Sequence, residues 1–565
     1  MNLLWDDVDA TNEDTLDHLW LGRALRDVVS APRVVGGSAV AAEVTRRVMQ
    51  RIDGRAALDD VLCETLYREE QRLAHADSEP HTARDRAFIK ALRHSLAHAG
   101  PTKRRVLVER TVGHYAREIT GHFDRRIYAF TTSIVPSALG ALLHGGKPSS
   151  QLFNVDERVL LEGDVPALQR AAHDGTVVLV PTHVSNLDSL ILGHAIYRLG
   201  LPPFAYGAGL NLFSHALIGF FMRHLGAFTV DRKKSDPLYI ETVKEYAGVL
   251  LEHGQHMLFF PGGTRSRSGV IESHLKLGFL GQVVAAFVNR RIRDPHSPPL
   301  FIVPCTLSYP IVLEGASLIE EYLSREGGPH FVDVRDEFER PARWLGFLRG
   351  LAELDVQVHV RFGSPLDPLG NAVDARGVSR DGRGRPLDPT RYLLADGAVV
   401  QDAARDAEYT KALAQSVLAS FKREAVALPS SVLAFALFTC LQRKYPRLDL
   451  FRFLRVLGPS TTVSLAEVEK EVDVLLEALR PLAERGAIQL APVLAAGGKT
   501  AVIEQGALTL GAYHRPPALV RHADRLEVTQ PTLLLYYRNR LEGFGLPGSS
   551  TLEQRSQHAQ TWGAA

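Results

Sequence analysis

The chain contains 565 residues, too many for a single hydrophobic core, so about two to four domains are expected. Its 65 Lys and Arg residues nearly balance its 64 Asp and Glu residues, which disfavours a nucleic-acid-binding protein and means that any basic site is local. Cys63, Cys305 and Cys440 are far apart and show no paired spacing, which disfavours a disulfide framework or a zinc site and fits a reducing cytoplasm.

The membrane signals in the sequence are weak. Residues 1–7 are acidic and lack the basic region and apolar run of a signal peptide. No apolar stretch reaches the roughly 18–20 residues needed to cross a bilayer. Three shorter apolar stretches occur at residues 133–143, 216–221 and 430–441. Each is interpreted first as a buried core helix, and the alternative is a surface that dips into one membrane leaflet.

Residues 14–150 predict one helix after another. Apolar residues recur at three- and four-residue intervals, as at Val44, Val48 and Ile52, and nothing alternates as a strand does. The Gly, Pro and Ser residues of 145–149 then break the pattern. We therefore predict an N-terminal helical domain at residues 1–150.

The sequence pattern of residues 151–365 predicts an α/β domain. Short apolar runs at 176–180, 227–230, 257–260 and 301–307 predict buried strands, and alternation over 356–362 predicts a fifth. Helical stretches separate these runs, and such alternation favours a largely parallel sheet.

The rest of the chain divides into two parts. Residues 366–400 are rich in Gly, Asp, Arg and Pro and predict a linker or surface loop. Residues 401–565 predict a C-terminal, mainly helical domain with amphipathic stretches such as 465–485. The predicted fold class is therefore α/β, a central domain with a mostly parallel sheet flanked by helices, with mainly helical domains on both sides.

A histidine and an aspartate follow the first predicted strand. The apolar run 177–180 ends at Pro181, and His183 precedes a helix expected at about residues 187–197, with Ser185 or Asn186 as its N-cap. His183 and Asp188 are five residues apart and would not share a helix face, so we expect the chain to double back and bring the carboxylate to one imidazole nitrogen. That is the base and orienting acid of an acid/base site. The alternative is a strand-end histidine bonded to a capping aspartate without a chemical role.

A glycine- and arginine-rich turn follows the predicted strand at 257–260. Gly262 and Gly263 let backbone N–H groups approach an anion closely, and Arg265 and Arg267 are suited to bind phosphate. The alternative is an ordinary solvated basic turn.

Two further segments carry weaker signals. Residues 207–212 predict a flexible loop that contains Gly209 and Asn211, and Arg232 follows the strand at 227–230. Residues 302–309 predict a buried strand containing Pro304 and Cys305, for which packing is the default explanation.

In this order and at these separations, the four segments resemble the glycerol-3-phosphate acyltransferase family. The HxxxxD element of that family corresponds to His183 through Asp188, and its second block to residues 209–212, with Arg232 after the next strand. The matching residues of its third and fourth blocks are Phe260, Gly263, Thr264, Arg265, Ser266, Arg267, Val303 and Pro304. The resemblance covers residues 110–365 and continues weakly to 536–540. One position departs from it, because Gly262 stands where the family usually has glutamate.

The resemblance implies a direct acyl transfer. His183 is expected to take the proton of an acceptor hydroxyl while Asp188 holds the ring, and backbone N–H groups near the helix start are expected to stabilise the oxyanion. Neither a covalent intermediate on Cys305 nor a metal or cofactor is expected. The expected substrate-binding residues are Gly209, Asn211, Arg232, Gly263, Thr264, Arg265, Ser266, Arg267 and Pro304.

The implied reaction moves a fatty acyl group from acyl-CoA or acyl carrier protein to the sn-1 hydroxyl of glycerol 3-phosphate, giving lysophosphatidate for phospholipid synthesis. Dihydroxyacetone phosphate and lysophosphatidate are alternative acceptors. A catalytically silent lipid-binding scaffold is a further alternative, which Gly262 favours and the His183/Asp188 pair disfavours. Because a long acyl product belongs in a membrane, we expect peripheral or monotopic association with the cytoplasmic face of the cell membrane.

Overall fold

A computed structural model describes residues 37–53, 58–75, 80–121, 158–209, 226–326, 357–458 and 461–549 of the chain. The apolar stretches 133–143 and 216–221, the break at 145–149 and Asn211 lie outside the described residues.

The N-terminal part consists of helices in the described residues, as predicted. They are α1 (Gly37–Asp53), α2 (Leu58–Ala74), α3 (Pro80–Ala97) and α4 (Pro101–Ile119). Val44, Val48 and Ile52 are all buried on one face of α1, which is what their spacing predicts. Pro101 begins α4, a position where the missing backbone N–H of proline costs no hydrogen bond within the helix.

The central part alternates strands and helices. Its elements are β1 (Val159–Gly163), α5 (Val165–Asp174), β2 (Thr176–Pro181), α6 (Asp188–Arg198), β3 (Ala205–Gly209), β4 (Ala227–Val230), α7 (Pro237–Glu252), β5 (Met257–Leu258), α8 (Leu277–Arg293), β6 (Leu300–Ser308), α9 (Gly315–Arg325) and β7 (Val358–Phe362). The seven strands form one sheet in the order β1-β7-β6-β2-β5-β3-β4. All neighbouring pairs are parallel except β6 and β7, so the predicted mostly parallel sheet is confirmed.

Strands β1 and β3 escaped prediction. The glycines of 207–209 indicated a flexible loop, and that prediction is wrong, because Tyr206 to Gly209 pair in parallel register with Ala227 to Val230. A Cβ atom at position 207 would lie 3.2 Å from side-chain atoms of both Phe228 and Val230. The glycine is therefore explained by close side-chain packing within the sheet rather than by loop flexibility.

The sheet is buried on both faces, which explains the continuous apolar runs of its central strands. Along β2, Val177 and Leu179 join a core that includes α6 and the C-terminal helices. Val178 and Val180 point the other way, into a core shared with the N-terminal helices and with α7 and α8. The strand that precedes His183 is thus held rigidly between two layers of helices.

The chain after β7 folds onto this frame. Its elements are β8 (Ala372–Val373), β9 (Ser379–Arg380), a 3₁₀ helix (Pro389–Leu393), β10 (Leu394–Ala395), β11 (Ala398–Val399), α10 (Ala403–Glu424), β12 (Val426–Ala427), α11 (Pro429–Lys444), α12 (Leu450–Val456), β13 (Thr461–Ser464), α13 (Leu465–Glu484), β14 (Gln489–Leu490), α14 (Pro492–Ala496), α15 (Lys499–Leu510), β15 (Leu519–Arg521), β16 (Arg525–Val528), α16 (Pro531–Arg538) and a 3₁₀ turn (Asn539–Leu541). The C-terminal part is mainly helical, as predicted, and it also contains small sheets that were not predicted. Residues 366–400 carry short hairpins, and Leu366 bridges to Ile302 of the central sheet. The domain boundaries themselves stay predictions.

Helix α11 resolves the role of one apolar stretch. Every residue from Pro429 to Leu441 is buried, and the helix packs inside the core that covers one face of the sheet. The stretch 430–441 is therefore a core helix and not a leaflet-inserting surface. Among the described residues, no helix is long and apolar enough to span a membrane.

We predict that Leu437→Ala in α11 lowers the free energy of unfolding by roughly 2–5 kcal/mol, because it removes buried methyl groups and leaves a cavity. Leu437 is 0% exposed, whereas Leu508 on α15 is 56% exposed. Leu508→Ala is the matched control and is expected to change stability by no more than about 0.5 kcal/mol. Urea unfolding followed by circular dichroism measures both, and equal effects would contradict the core assignment of α11.

Candidate active site

His183 and Asp188 meet in the turn between β2 and α6. Nδ1 of His183 lies 2.8 Å from Oδ2 of Asp188, so the expected contact between ring and carboxylate is present. Asp188 is the first residue of α6, and the chain doubles back before it. The predicted N-cap at Ser185 or Asn186 is wrong, because the helix begins after Leu187 without a side-chain cap.

Two buried carboxylates hold the turn that precedes α6. Oδ2 of Asp188 accepts the backbone N–H groups of Val184 at 2.6 Å and Ser185 at 3.0 Å. Glu314, the N-cap residue of α9, accepts the Asn186 N–H at 3.0 Å and the Ser185 hydroxyl at 2.8 Å. These bonds satisfy the backbone donors of residues 184–186, in the turn that precedes α6.

Asp188 is saturated with donors. Besides the ring of His183 and two backbone N–H groups, the Tyr309 hydroxyl donates to Oδ1 at 2.6 Å. Asp188 is completely buried, and burial together with the charge of Asp188 raises the pKa of Tyr309 well above its usual value. The phenol therefore stays a donor, and the carboxylate is held in one orientation by four hydrogen bonds.

The ring of His183 is fixed by one hydrogen bond and one stack. The ring of Phe260 lies nearly parallel to it, with centroids 4.1 Å apart and planes 23° apart. Because the Nδ1–H donates to Asp188, the tautomer assigned from this bond leaves the lone pair on Nε2. An oriented imidazole with a basic Nε2 is able to take a proton from a hydroxyl placed against it.

The backbone N–H groups of residues 183–188 are all engaged, and the expected oxyanion role of N–H groups near the start of α6 stays a prediction. His183 N–H donates to Glu272 at 2.7 Å, Leu187 N–H to the Ser185 hydroxyl at 3.2 Å, and Asp188 N–H to the Ser185 carbonyl at 3.2 Å. Those of residues 184–186 donate to the carboxylates of Asp188 and Glu314. The turn uses its donors to hold its own shape.

The glycine turn after β5 brings a lysine to the site. Gly263 has a φ of +75°, a backbone conformation that favours glycine, and its N–H closes a turn onto the Phe260 carbonyl at 3.0 Å. A Cβ atom at 263 would come within 2.9 Å of the Lys276 ammonium nitrogen. Lys276 is therefore a cation that lies across the glycine turn, and the sequence did not single it out.

The two arginines of this turn are ion-paired with carboxylates of α9 and its cap. Arg265 lies 3.2 Å from Glu314, and Arg267 lies 2.8 Å from Glu321. Arg232 is exposed, yet the protein atoms crowded around its guanidinium and the positive charges of Arg265 and Arg267 lower its pKa. The three guanidiniums are thus near enough for their charges to interact, although two of them already have carboxylate partners.

Ser266 and Thr264 serve the local structure. The Ser266 N–H donates to the His183 carbonyl at 2.8 Å, and its hydroxyl donates to the Val270 carbonyl at 2.6 Å. The Thr264 hydroxyl accepts a long hydrogen bond of 3.4 Å from Arg267. The third block is therefore hydrogen-bonded to the backbone of His183 through Ser266.

The remaining expected residues are placed as follows. Gly209 is the last residue of β3 and pairs with Val230. Pro304 is buried within β6, opposite Val180, and its carbonyl accepts the Gly363 N–H at 2.8 Å. Packing accounts for Pro304, while roles in substrate binding for all these residues stay predictions.

The C-terminal segment contributes residues that local reasoning missed. A Cβ atom at Gly269 would lie 2.2 Å from the carbonyl oxygen of Tyr536, so α16 rests directly against the third block. The Asn539 side chain donates to the Ser268 carbonyl at 2.8 Å, and Arg540 donates to the carbonyls of Gly269 and Leu307. The weak resemblance at 536–540 was the one sequence signal for this contact.

A metal is not required to explain the acidic groups near α4. Ligand atoms of Asp85, His114 and Glu118 lie within 4.8 Å of one another. However, the Lys234 ammonium lies 2.6 Å from Glu118 and 3.5 Å from Asp85. Within the described residues, this cluster is therefore accounted for by an ion pair network around a lysine.

A cavity of about 900 Å³ opens at the opposite end of β2 from His183, beside Thr176. Its charged lining residues have partners, since Arg290 donates to Thr176 at 3.0 Å and Arg293 pairs with Glu252. It lies away from the histidine and offers no group to the chemistry described above.

The thiol of Cys305 is unsuited to act as a nucleophile. It is completely buried, and burial, followed by the charges of Asp188 and Glu424, raises its pKa well above the usual value. A thiol must ionise to attack, so this residue is explained by packing in β6.

We predict that an aromatic disulfide reagent labels one thiol of the native protein promptly near pH 8. Cys63 is exposed, whereas burial raises the pKa of Cys440 to about 11 and raises the pKa of Cys305 well above its usual value. The absorbance of the released aromatic thiol counts the groups that react before and after unfolding. Cys63→Ser is the control and should abolish the prompt phase, and prompt labelling of Cys305 would contradict its assignment as an inert residue.

The region that contains this site is similar to known proteins. Residues 164–308 match the family model described as Acyltransferase. A glycerol-3-phosphate acyltransferase from Xanthomonas axonopodis pv. citri is 28% identical over 60% of this chain and 36% of its own length. One from Pseudomonas paraeruginosa is 32% identical over 45% of this chain and 27% of its own. A dihydroxyacetone phosphate acyltransferase from Bos taurus is 32% identical over 39% of this chain and 31% of its own.

The chain thus matches about a third of the length of these curated relatives. Among solved structures, the 1-acyl-sn-glycerophosphate (LPA) acyltransferase of Thermotoga maritima aligns with 45% of this chain and 76% of its own, at 16% identity and a TM-score of 0.23.

Proposed function

We propose that this protein transfers a fatty acyl group from acyl-CoA or acyl carrier protein to the sn-1 hydroxyl of glycerol 3-phosphate, and the match of residues 164–308 to the Acyltransferase family model supports this proposal. The product is lysophosphatidate. The observation that carries the proposal is the 2.8 Å contact between Nδ1 of His183 and Asp188, which leaves Nε2 as the base for a hydroxyl.

The proposed reaction is a direct attack. Nε2 of His183 takes the hydroxyl proton as the hydroxyl oxygen bonds to the thioester carbonyl carbon, and Asp188 stabilises the imidazolium that forms. The tetrahedral intermediate then expels the thiolate, and the imidazolium gives its Nε2 proton to that thiolate. The raised pKa of Cys305 supports a mechanism without an acyl-enzyme, because it disfavours this buried thiol near Asp188 as a nucleophile.

The acceptor phosphate is proposed to bind among Arg232, Arg265 and Arg267. The protein atoms around the Arg232 guanidinium, and then the charges of Arg265 and Arg267, lower the pKa of Arg232, which supports a concentration of positive charge that an anion relieves. Arg265 is steadied by the buried Glu314, which also holds the turn after His183. Glu314 therefore fixes the proposed phosphate-binding Arg265 relative to the turn that carries His183. Such a fixed separation is needed if one small acceptor is to place its phosphate at the arginines and its hydroxyl at the base.

Dihydroxyacetone phosphate is the second candidate acceptor, because the bovine relative named for it is as similar as the glycerol-3-phosphate enzymes. Glycerol 3-phosphate is preferred because the Xanthomonas relative named for that substrate matches 60% of this chain, whereas the bovine relative matches 39%. We further propose that the protein works at the cytoplasmic face of the cell membrane as a peripheral or monotopic protein, since its acylated product partitions into lipid.

We predict that His183→Ala lowers acyl transfer by about 10²–10⁴-fold, because it removes the general base. The assay mixes purified protein with palmitoyl-CoA and, in turn, glycerol 3-phosphate, dihydroxyacetone phosphate or lysophosphatidate. Cys305→Ala is the control and should leave turnover largely unchanged, and circular dichroism verifies folding of both variants. Transfer to none of the three acceptors by the unaltered protein would favour the lipid-binding scaffold instead.

Arg232→Ala is expected to raise the KM for the phosphorylated acceptor about tenfold or more, since losing a charged hydrogen bond costs about 1.5–3 kcal/mol. The KM for palmitoyl-CoA should stay unchanged. Arg480→Ala, at an exposed arginine on α13, is the matched control. Initial rates over an acceptor concentration series measure both, and an equal KM in the two variants would refute the phosphate assignment.

A further inference from the structure

Glu272 contacts the backbone of His183 from a distant part of the chain. Its Oε1 accepts the His183 N–H at 2.7 Å, across a separation of 89 residues. The Ser266 N–H donates to the His183 carbonyl at 2.8 Å. One loop, between β5 and α8, therefore holds both backbone polar groups of the residue that carries the proposed base.

Glu272 also occupies the space beside Gly262. A Cβ atom built at position 262 would lie 3.2 Å from Cγ of Glu272 and 3.6 Å from its Oε1. Position 262 is where this chain departs from the block it resembles, with glycine in place of glutamate. A side chain at 262 would enter the region that the Glu272 carboxylate now fills.

The Glu272 carboxylate is maintained at a cost to folding. Its Oε2 is buried and has no hydrogen-bond partner among the described residues. Burial raises the pKa of Glu272 to about 7, while the His183 N–H and the charge of Arg540 lower it and Asp188 raises it. Burying an incompletely bonded carboxylate is unfavourable for folding, and a role in the site would explain why this position carries an acid.

We propose that Glu272 is a positioning residue of this active site, supplying from position 272 the carboxylate that Gly262 lacks and fixing the backbone of His183 with it. The inference rests on the proposed acyl transfer, because the histidine it positions is the proposed base. Glu272 acts through His183 and does not itself touch the reacting atoms.

The first test separates positioning from binding. Glu272→Ala is expected to lower kcat by about 10–100-fold, since small displacements of a catalytic group have effects of that size, with both KM values within about twofold of the unaltered protein. Glu477→Ala, at an exposed glutamate on α13, is the matched control and should not change kcat. A kcat in Glu272→Ala equal to that of the control would overturn the proposal.

The second test moves the carboxylate back. Gly262→Glu combined with Glu272→Ala is expected to recover at least about a third of the kcat lost in Glu272→Ala, because the new side chain points into the vacated space. Gly262→Glu alone should gain nothing, since it brings two carboxylates together. A double variant no more active than Glu272→Ala would contradict the replacement.

A third measurement does not depend on turnover. Because the folded state disfavours the ionised form of Glu272, the stability of the unaltered protein should fall as pH rises from 4.5 to about 7 more than that of Glu272→Gln, whose amide does not ionise. Melting temperatures at several pH values test this. Parallel curves for the two proteins would contradict a buried, titrating carboxylate.

Hydrogen exchange of the peptide covering residues 182–187 tests directly whether Glu272 holds the backbone N–H of His183. Faster exchange at the His183 amide in Glu272→Ala than in Glu477→Ala is expected, because the acceptor of that N–H is gone. If the unaltered protein transfers no acyl group, the proposed function fails while this measurement still decides whether Glu272 holds His183. Equal exchange in the two variants would refute the positioning role.

Discussion

Four hydrogen-bond donors converge on the carboxylate of Asp188, and the rest of the site depends on that convergence. The ring of His183 and the backbone of Val184 and Ser185 meet one oxygen, while the Tyr309 hydroxyl meets the other. The same contacts therefore orient the imidazole and close the turn that carries it. In the proposed reaction, a base held rigidly between a buried strand and a helix needs no reorganisation at the moment of proton transfer.

The turn is supported by parts of the chain that are distant in sequence. Glu314 joins the turn before α6 to Arg265. Glu272 and Ser266 bind the backbone of His183. The 3₁₀ turn at Asn539–Leu541 binds the loop of the third block, through Asn539 and the Ser268 carbonyl. The helical layers on both sides of the sheet thus do more than cover its apolar faces. The C-terminal helices bring Asn539 and Arg540 to the loop that contains the proposed phosphate-binding residues, and this loop in turn contacts the proposed base.

Local sequence patterns predicted the central strands and the amphipathic helices well, because each of these elements is marked by its own residues. β-branched runs marked β2 and β6, and spacing marked α1 and α13. Strand β3 was missed because its glycines serve packing against Phe228, which a single segment does not reveal. The contact of His183 with Asp188 was within reach of sequence reasoning since the two are five residues apart. Tyr309, Glu314 and Glu272 were not, because each reaches the turn across about a hundred residues of chain.

A crystal structure of the protein with glycerol 3-phosphate and a non-hydrolysable acyl thioester analogue tests the proposed reaction most directly. The proposed reaction requires the acceptor hydroxyl to lie about 2.6–3.2 Å from Nε2 of His183, within hydrogen-bond reach, with the phosphate against Arg232, Arg265 and Arg267. A hydroxyl out of reach of Nε2, with the phosphate bound on another surface, would contradict it.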